Sequence, residues 1–182
     1  MNLESIARFG LLSHHAAEKI PHHSVASASV QDNRVNKCIP GGGLLHSYVN
    51  TYFHARNSMM FKLMADGVRE LVVIRIASSV LELPDVVVSD GNAATGTTRF
   101  FPSPGGLAHL NADRVYAESW NSADVWEKAE RKRMRSAEVL VPDSVLPEYF
   151  IGCYTLNNAD AAVCSGIAPF WKVEVNANVY FR

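Results

Sequence analysis

One glutamate, Glu138, stands at the head of the aliphatic run in RMRSAEVLVP, residues 133–142, with Arg131, Lys132, Arg133 and Arg135 just ahead of it. A carboxylate placed at a strand end in a cleft, beside basic groups, suits hydrogen bonding to a sugar hydroxyl of a phosphate-bearing substrate. The competing reading is a solvent-facing strand end, where most glutamates lie. The basic cluster divides in the same way. Glu127 and Glu130 stand at helical spacing to pair with Arg131 and Arg133, which describes a solvated helix face; otherwise the cluster offers what a phosphate backbone needs. Arg34, in VQDNR, is either half of a surface pair with Asp32 or a planar fork for a phosphate or carboxylate. DGNAATGTTRF brings Asp90, Asn92, Thr97, Thr98 and Arg99 onto one glycine-punctuated loop, which is also how a plain turn with Asx hydrogen bonds reads.

Other chemistries find less support. His14, His15, His22 and His23 lie in two pairs, yet neighbouring side chains on an extended segment point to opposite sides, and no cysteine or carboxylate pattern completes a tetrahedral set. No metal is expected. PGGGLLHS lacks the lysine and hydroxyl ending of a phosphate loop, and neither G-x-G-x-x-G nor G-x-S-x-G occurs.

The elements that must hold these groups follow from pattern. Over 182 residues, 48% of them apolar, the chain can build one core, so residues 1–182 are expected to form one domain. Seventeen basic and 18 acidic residues give a net charge of -1, which argues against a protein that coats nucleic acid indiscriminately. Three cysteines without close pairing, no basic-then-apolar leader and no apolar run of membrane-spanning length predict a soluble, reduced, cytoplasmic protein.

A short helix is expected near Leu3, Ile6 and Ala7, stopped by Gly10; the state of Ser24 to Arg34 stays open. Strand is expected within 45–54, then a helix capped by Asn57 and stopped by Gly67. ELVVIRIAS and DVVVSD read as buried strands, 90–106 as a long loop, and 123–137 as a charged helix carrying Val125, Trp126 and Ala129 on one face. EVLV, FIGCYTL, KVEV and NVYF read as further strands, with a helix from about Asn158 to Cys164. Strands and helices mix without a βαβ rhythm, so the class is α+β.

Four blocks in one order, LLHSYVNTYFHARNSMMF (44–61), SDGNAATGTTRFF (89–101), RSAEVLV (135–141) and the closing VYF (179–181), make the chain resemble the DarT family. These are bacterial toxins that transfer ADP-ribose from NAD to bases of single-stranded DNA. The resemblance implies an ADP-ribosyltransferase fold, a split β-sandwich with flanking helices. It implies that Glu138 is the catalytic glutamate and that Arg34, closing an altered Gln-x-Arg-Arg block, is the catalytic arginine. It further implies that Ser24, Arg34, Tyr52, Met59 and Asn92 bind NAD. Tyr48, Arg56, Arg99, Arg131, Arg133 and Arg135 are expected at the DNA, and the partner is expected to be an antitoxin hydrolase that removes the ADP-ribose. No membrane contact is expected.

The family usually carries a first strand with a His-x-Thr block ahead of its Asn-Leu helix, whereas here Met1 directly precedes NLESI. An upstream start, a reduced NAD pocket and lost activity are the three readings of that departure. Asn33 and Ser58 also replace the family's usual arginine and proline. Rival functions are an RNA-directed transferase of the same fold and an inactive single-strand-binding relative. Whether thymine or guanine is the target stays open.

Overall fold

The structure is a computed structural model that describes residues 2–24 and 28–181. Helix α1 (Leu3–Phe9) stops at Gly10, whose φ of +87° is a conformation that side chains rarely adopt. There the backbone lies against the carbonyl of Val145, so a β-carbon would have no room. Strand β1 (Leu11–Leu12) and the one-turn helix α2 (His14–Ala17), capped by the Ser13 hydroxyl, follow. Part of the Ser24–Arg34 stretch falls on residues 25–27, outside the described ones; from there the chain forms helix α3 (Ala28–Val35).

Next come β2 (Tyr48–Tyr52), α4 (Ser58–Ala65), β3 (Val72–Ile76), β4 (Val87–Ser89) and β5 (Phe100–Pro102). After α5 (Ala112–Val115) and α6 (Val125–Met134) the chain enters β6 (Glu138–Pro142), β7 (Ser144–Val145), β8 (Phe150–Thr155), α7 (Asn158–Ile167) and β9 (Val173–Val175). Asn57 caps α4 as expected, its side chain accepting from the amides of Met59 and Met60.

Two sheets carry the architecture. One has the order β2-β6-β4-β5, all antiparallel; the other has the order β3-β8-β9, with β9 parallel to β8. Val49, Val88, Val139, Val141 and Phe150 form a buried cluster against which Ile74 and Ile76 pack, so the sheets close face to face in the split-sandwich arrangement. Alternation along the strands decides what looks the other way. Val139 and Val141 turn into that cluster, which sends Glu138 and Leu140 to the opposite face of β6. On β2, Val49 turns inward, and Tyr48, Asn50 and Tyr52 share the outer face, where Tyr48 and Leu140 join Ile39, Leu45 and Ala93.

Three sequence expectations change. NVYF is not a strand: the Asn176 side chain caps a single 3-10 turn, Ala177–Val179, and the Tyr180 hydroxyl donates to the Tyr154 carbonyl at 2.8 Å. The loop 90–106 contains β5, paired to β4. ELVVIRIAS forms β3 but is only half-buried along its length, and on α6 the apolar residues Val125 and Trp126 are exposed, Trp126 at 85%.

Candidate active site

Glu138 is opposite Tyr52 in the β2–β6 register, and Asn50 is opposite Leu140, one step along the same face. That diagonal puts the Asn50 amide within reach of the carboxylate. Its Nδ2 donates to Glu138 Oε2 at 2.7 Å. From α3, Arg34 Nη2 reaches Oε1 at 2.9 Å and Oε2 at 3.3 Å. The loop after β4 supplies a third donor, the backbone N–H of Ala93, which meets Oε1 at 2.8 Å. Glu138 is 0% exposed and Arg34 6%, so the solvent-facing reading of this glutamate and the surface pairing of Arg34 with Asp32 both give way to a buried ion pair.

The loop that brings Ala93 is itself stapled down. Asp90 accepts from the Arg99 backbone at 3.0 Å, from Arg99 Nε at 2.9 Å and from Arg133 Nη1 at 2.7 Å. Burial on its own would push the Asp90 carboxyl up; these donors outweigh it and hold the carboxyl below its ordinary value. The Asn92 side chain accepts from the Ala94 amide at 2.9 Å, the Asx turn expected of this loop, and so turns the chain at the point where Ala93 faces Glu138. Gly91 has no room for a β-carbon because the Arg133 side chain lies against it. Behind the loop, the Ser89 hydroxyl accepts from the Glu138 amide at 3.1 Å and donates to the Gly91 carbonyl at 2.7 Å.

Beside this cluster opens a cavity of about 1210 Å³, lined by Arg34, Asn50, Tyr52, Met59, Asn92, Trp126, Lys132 and Arg133 among others. Single small ligands usually occupy about 300–1,000 Å³, so there is room for a dinucleotide and part of a second ligand. The Tyr52 hydroxyl contacts Met59 Sδ at 3.9 Å, and burial first, then the Glu138 charge, raises its pKa well above the ordinary tyrosine value, making it a weaker acid. Four of the residues expected at NAD, namely Arg34, Tyr52, Met59 and Asn92, therefore line the same cavity. Ser24 lies exposed, next to the undescribed residues.

The residues expected at DNA scatter. Tyr48 is 6% exposed and packs in the cluster with Ile39 and Leu45. Arg135, at 1% exposure, donates to the carbonyls of Arg56 and Ala117 and lies over the Trp120 ring; buried there, it holds α6 and has no face for a strand outside. Arg133, although on the cavity wall, spends its guanidinium on Glu130, Asp90 and Thr98. All three are buried and held by contacts within the protein. Arg131 pairs with Glu127 at 2.6 Å, Arg99 is exposed against Asp90, and Arg56 lies over Phe181 at a separate small cleft. Within the basic cluster it is Lys132 that is exposed on the cavity wall.

Sequence reading missed Asn50, the Ala93 amide and Trp126 as parts of the site, whereas it named Lys132 in the basic stretch before Glu138. The alternation Tyr48-Asn50-Tyr52, a polar residue between aromatics on one strand face, was the available signal for Asn50. A backbone amide leaves no signal. Of the four N-terminal histidines, His14 and His15 gather with His46, the His14 and His46 rings 4.2 Å apart.

A family model described as ssDNA thymidine ADP-ribosyltransferase, DarT, matches residues 1–181. The chain belongs to the DarT family. It is similar to a DNA ADP-ribosyl transferase of Thermus sp. (strain 2.9), 30% identical over 150 residues that make up 77% of this chain and 69% of that protein. A second DarT relative is a DNA ADP-ribosyl transferase-DNA ADP-ribosyl glycohydrolase fusion protein of Thermosipho africanus (strain H17ap60334), 28% identical over 169 residues. These are 88% of this chain but 42% of the fusion, so the chain spans less than half of that relative's length. Among solved structures, Thermus sp. 2.9 DarT in complex with ADP-ribosylated ssDNA has the same fold, with a TM-score of 0.85 at 24% identity over 99% of this chain and 91% of that one. No helix among the described residues is long and apolar enough to cross a membrane.

Proposed function

We propose that this chain is an NAD-dependent ADP-ribosyltransferase that attaches ADP-ribose to thymidine in single-stranded DNA. The observation that carries the reading is the buried Glu138–Arg34 pair, anchored by Asn50 and the Ala93 amide at the wall of a dinucleotide-sized cavity. The family's thymidine description and the name of the Thermus relative support the substrate.

Breaking the bond between nicotinamide and ribose C1′ builds positive charge on the ribose ring. A carboxylate accepting a hydrogen bond from the 2′-hydroxyl stabilises that transition state more than the ground state. Glu138 does this. Glu138 itself is buried, and its partners Arg34 and Asn50 line the cavity from which the substrate would reach it. A ring nitrogen of the base then forms a bond to C1′ as nicotinamide leaves with the bonding electron pair, and the base gives up its N–H proton.

Arg34 cannot take that proton, because a guanidinium stays protonated; Glu138 is the acceptor, and Arg34 steadies NAD phosphates or the carbonyl oxygen of the base. Bond exchange occurs at ribose carbon with the pyrophosphate intact, so the transfer is glycosyl and not nucleotidyl. An unpaired strand is the suitable substrate because stacking and pairing hide the reactive edge. Cytoplasmic residence and a cognate hydrolase antitoxin, like the glycohydrolase half named in the Thermosipho fusion, complete the proposal.

The test incubates the protein with NAD and DNA or RNA oligonucleotides of varied base content and weighs the products. Addition of one ADP-ribose to thymidine-containing DNA is expected. Addition to RNA replaces the substrate, and retained binding without addition makes the chain an inactive relative.

A further inference from the structure

The two oxygens of Glu138 are not held alike. Oε1 accepts two short hydrogen bonds, from the Ala93 amide at 2.8 Å and Arg34 Nη2 at 2.9 Å. Oε2 accepts one short bond, from Asn50 Nδ2 at 2.7 Å, and one long contact with Arg34 at 3.3 Å. An ionised carboxylate oxygen has about two acceptor sites, so Oε1 is filled, and Oε2 is the oxygen that can exchange its long contact for a new donor. The Ala93 bond alone would leave the carboxylate free to turn about Oε1, since the terminal torsion of glutamate is broad. A second fixed point is needed to aim Oε2.

Other nearby groups do not provide it. The Ser89 hydroxyl serves backbone atoms, and the Tyr52 hydroxyl faces Met59. Asn50 provides it from the rigid β2–β6 pairing, and as a neutral donor it adds no charge of its own to the carboxylate. We infer that Asn50 is a positioning residue that aims Glu138 Oε2 at the ribose hydroxyl, acting on the chemical step rather than on NAD binding. The inference rests on the transferase reading of the site.

Nicotinamide release, with and without oligonucleotide, is measured for the wild type, Asn50→Ala, Asn50→Asp and Asn50→Gln, with thermal unfolding as the folding control. A misaimed catalytic group costs about 10- to 100-fold in rate, so kcat is expected to fall by that factor in Asn50→Ala and at least as far in Asn50→Asp, which is isosteric but lacks the donor. KM for NAD should stay within about twofold, because uniform binding is untouched. Asn50→Gln, which keeps the donor on a longer arm, should regain part of the lost rate. A raised KM with wild-type kcat would make Asn50 a binding residue and overturn the inference, as would wild-type kinetics in Asn50→Ala, or Asn50→Gln as slow as Asn50→Ala. A wild-type protein that releases no nicotinamide under either condition overturns the transferase reading together with it, whereas an active wild type with indifferent Asn50 variants overturns this inference alone.

Discussion

A fully buried carboxylate carries a desolvation cost of several kcal/mol, and an ion pair offsets it only when further hydrogen bonds complete the shell. At Glu138 such bonds are present: a guanidinium, a carboxamide and a backbone amide all donate to it. Such pairs add little to stability compared with apolar residues of the same volume, so the reason to keep this one lies in its chemistry. Glu138→Gln keeps the shape and removes the charge. Transfer to DNA should fall by at least about 10²- to 10³-fold, the usual cost of losing one electrostatic stabiliser of a transition state. Because Arg34 lines the cavity and can turn to water, unfolding should stay cooperative. Measuring both on one preparation decides the matter: a folded variant with normal transfer removes Glu138 from the mechanism.

Helix α6 and the loop 90–99 act as one element through Arg133, which ties Glu130 to Asp90 while Asn92 N donates to the Arg133 carbonyl at 3.0 Å. Asp90 is the buried acidic member, and its carboxyl is held below the ordinary value in the folded chain. A depressed folded value contributes stability above the unfolded value of about 4 and loses it as pH falls through the folded one. The stability gap between wild type and Asp90→Asn, followed by thermal melts, should therefore be level from pH 5 upward and narrow below about pH 4. A gap that widened on acidification would contradict the assignment.

On the same helix, Trp126 stands 85% exposed on the cavity wall. Its replacement by alanine should change stability by less than about 0.5 kcal/mol. If an unpaired base stacks on it, affinity for single-stranded oligonucleotides should weaken by about 1–3 kcal/mol. Fluorescence titration measures the second quantity, and equal affinity of the two proteins would detach Trp126 from the DNA path.

Across the whole molecule, the two sheets close over one apolar cluster, and the buried thiols report on a second one, formed where Leu3 of α1 and Cys164 of α7 meet Cys153 of β8. Cys153 and Cys164 are buried together against Leu3, where burial pushes the Cys153 thiol up to about 11, while Cys38 is exposed. Thiolate is the reactive form, so a disulfide reagent at neutral pH should modify one thiol promptly in the native protein and the other two only on the timescale of unfolding. Three prompt thiols would mean that the α1–α7–β8 region opens independently of the core.

Local chemistry was legible in the amino-acid sequence. Asn57 caps α4 because its short side chain reaches amides two and three residues ahead, and Gly10 ends α1 because it alone adopts the required backbone without strain; both depend on neighbours in the chain. The pairing of Glu127 and Glu130 with Arg131 and Arg133 was legible for the same reason. Glu138 became a candidate through its place in an ordered set of blocks, while its burial could not be read, since a glutamate opening a strand looks the same whether solvent or protein covers it. Tertiary structure decided that. Arg34 and Glu138 are 104 residues apart and meet only because the fold brings α3 within side-chain reach of β6. Tertiary contacts also buried Arg135, against the Arg56 and Ala117 carbonyls and Trp120, and left Trp126 bare, against their residue types. Charge and hydropathy describe what a side chain prefers, and the register of distant strands decides what it touches.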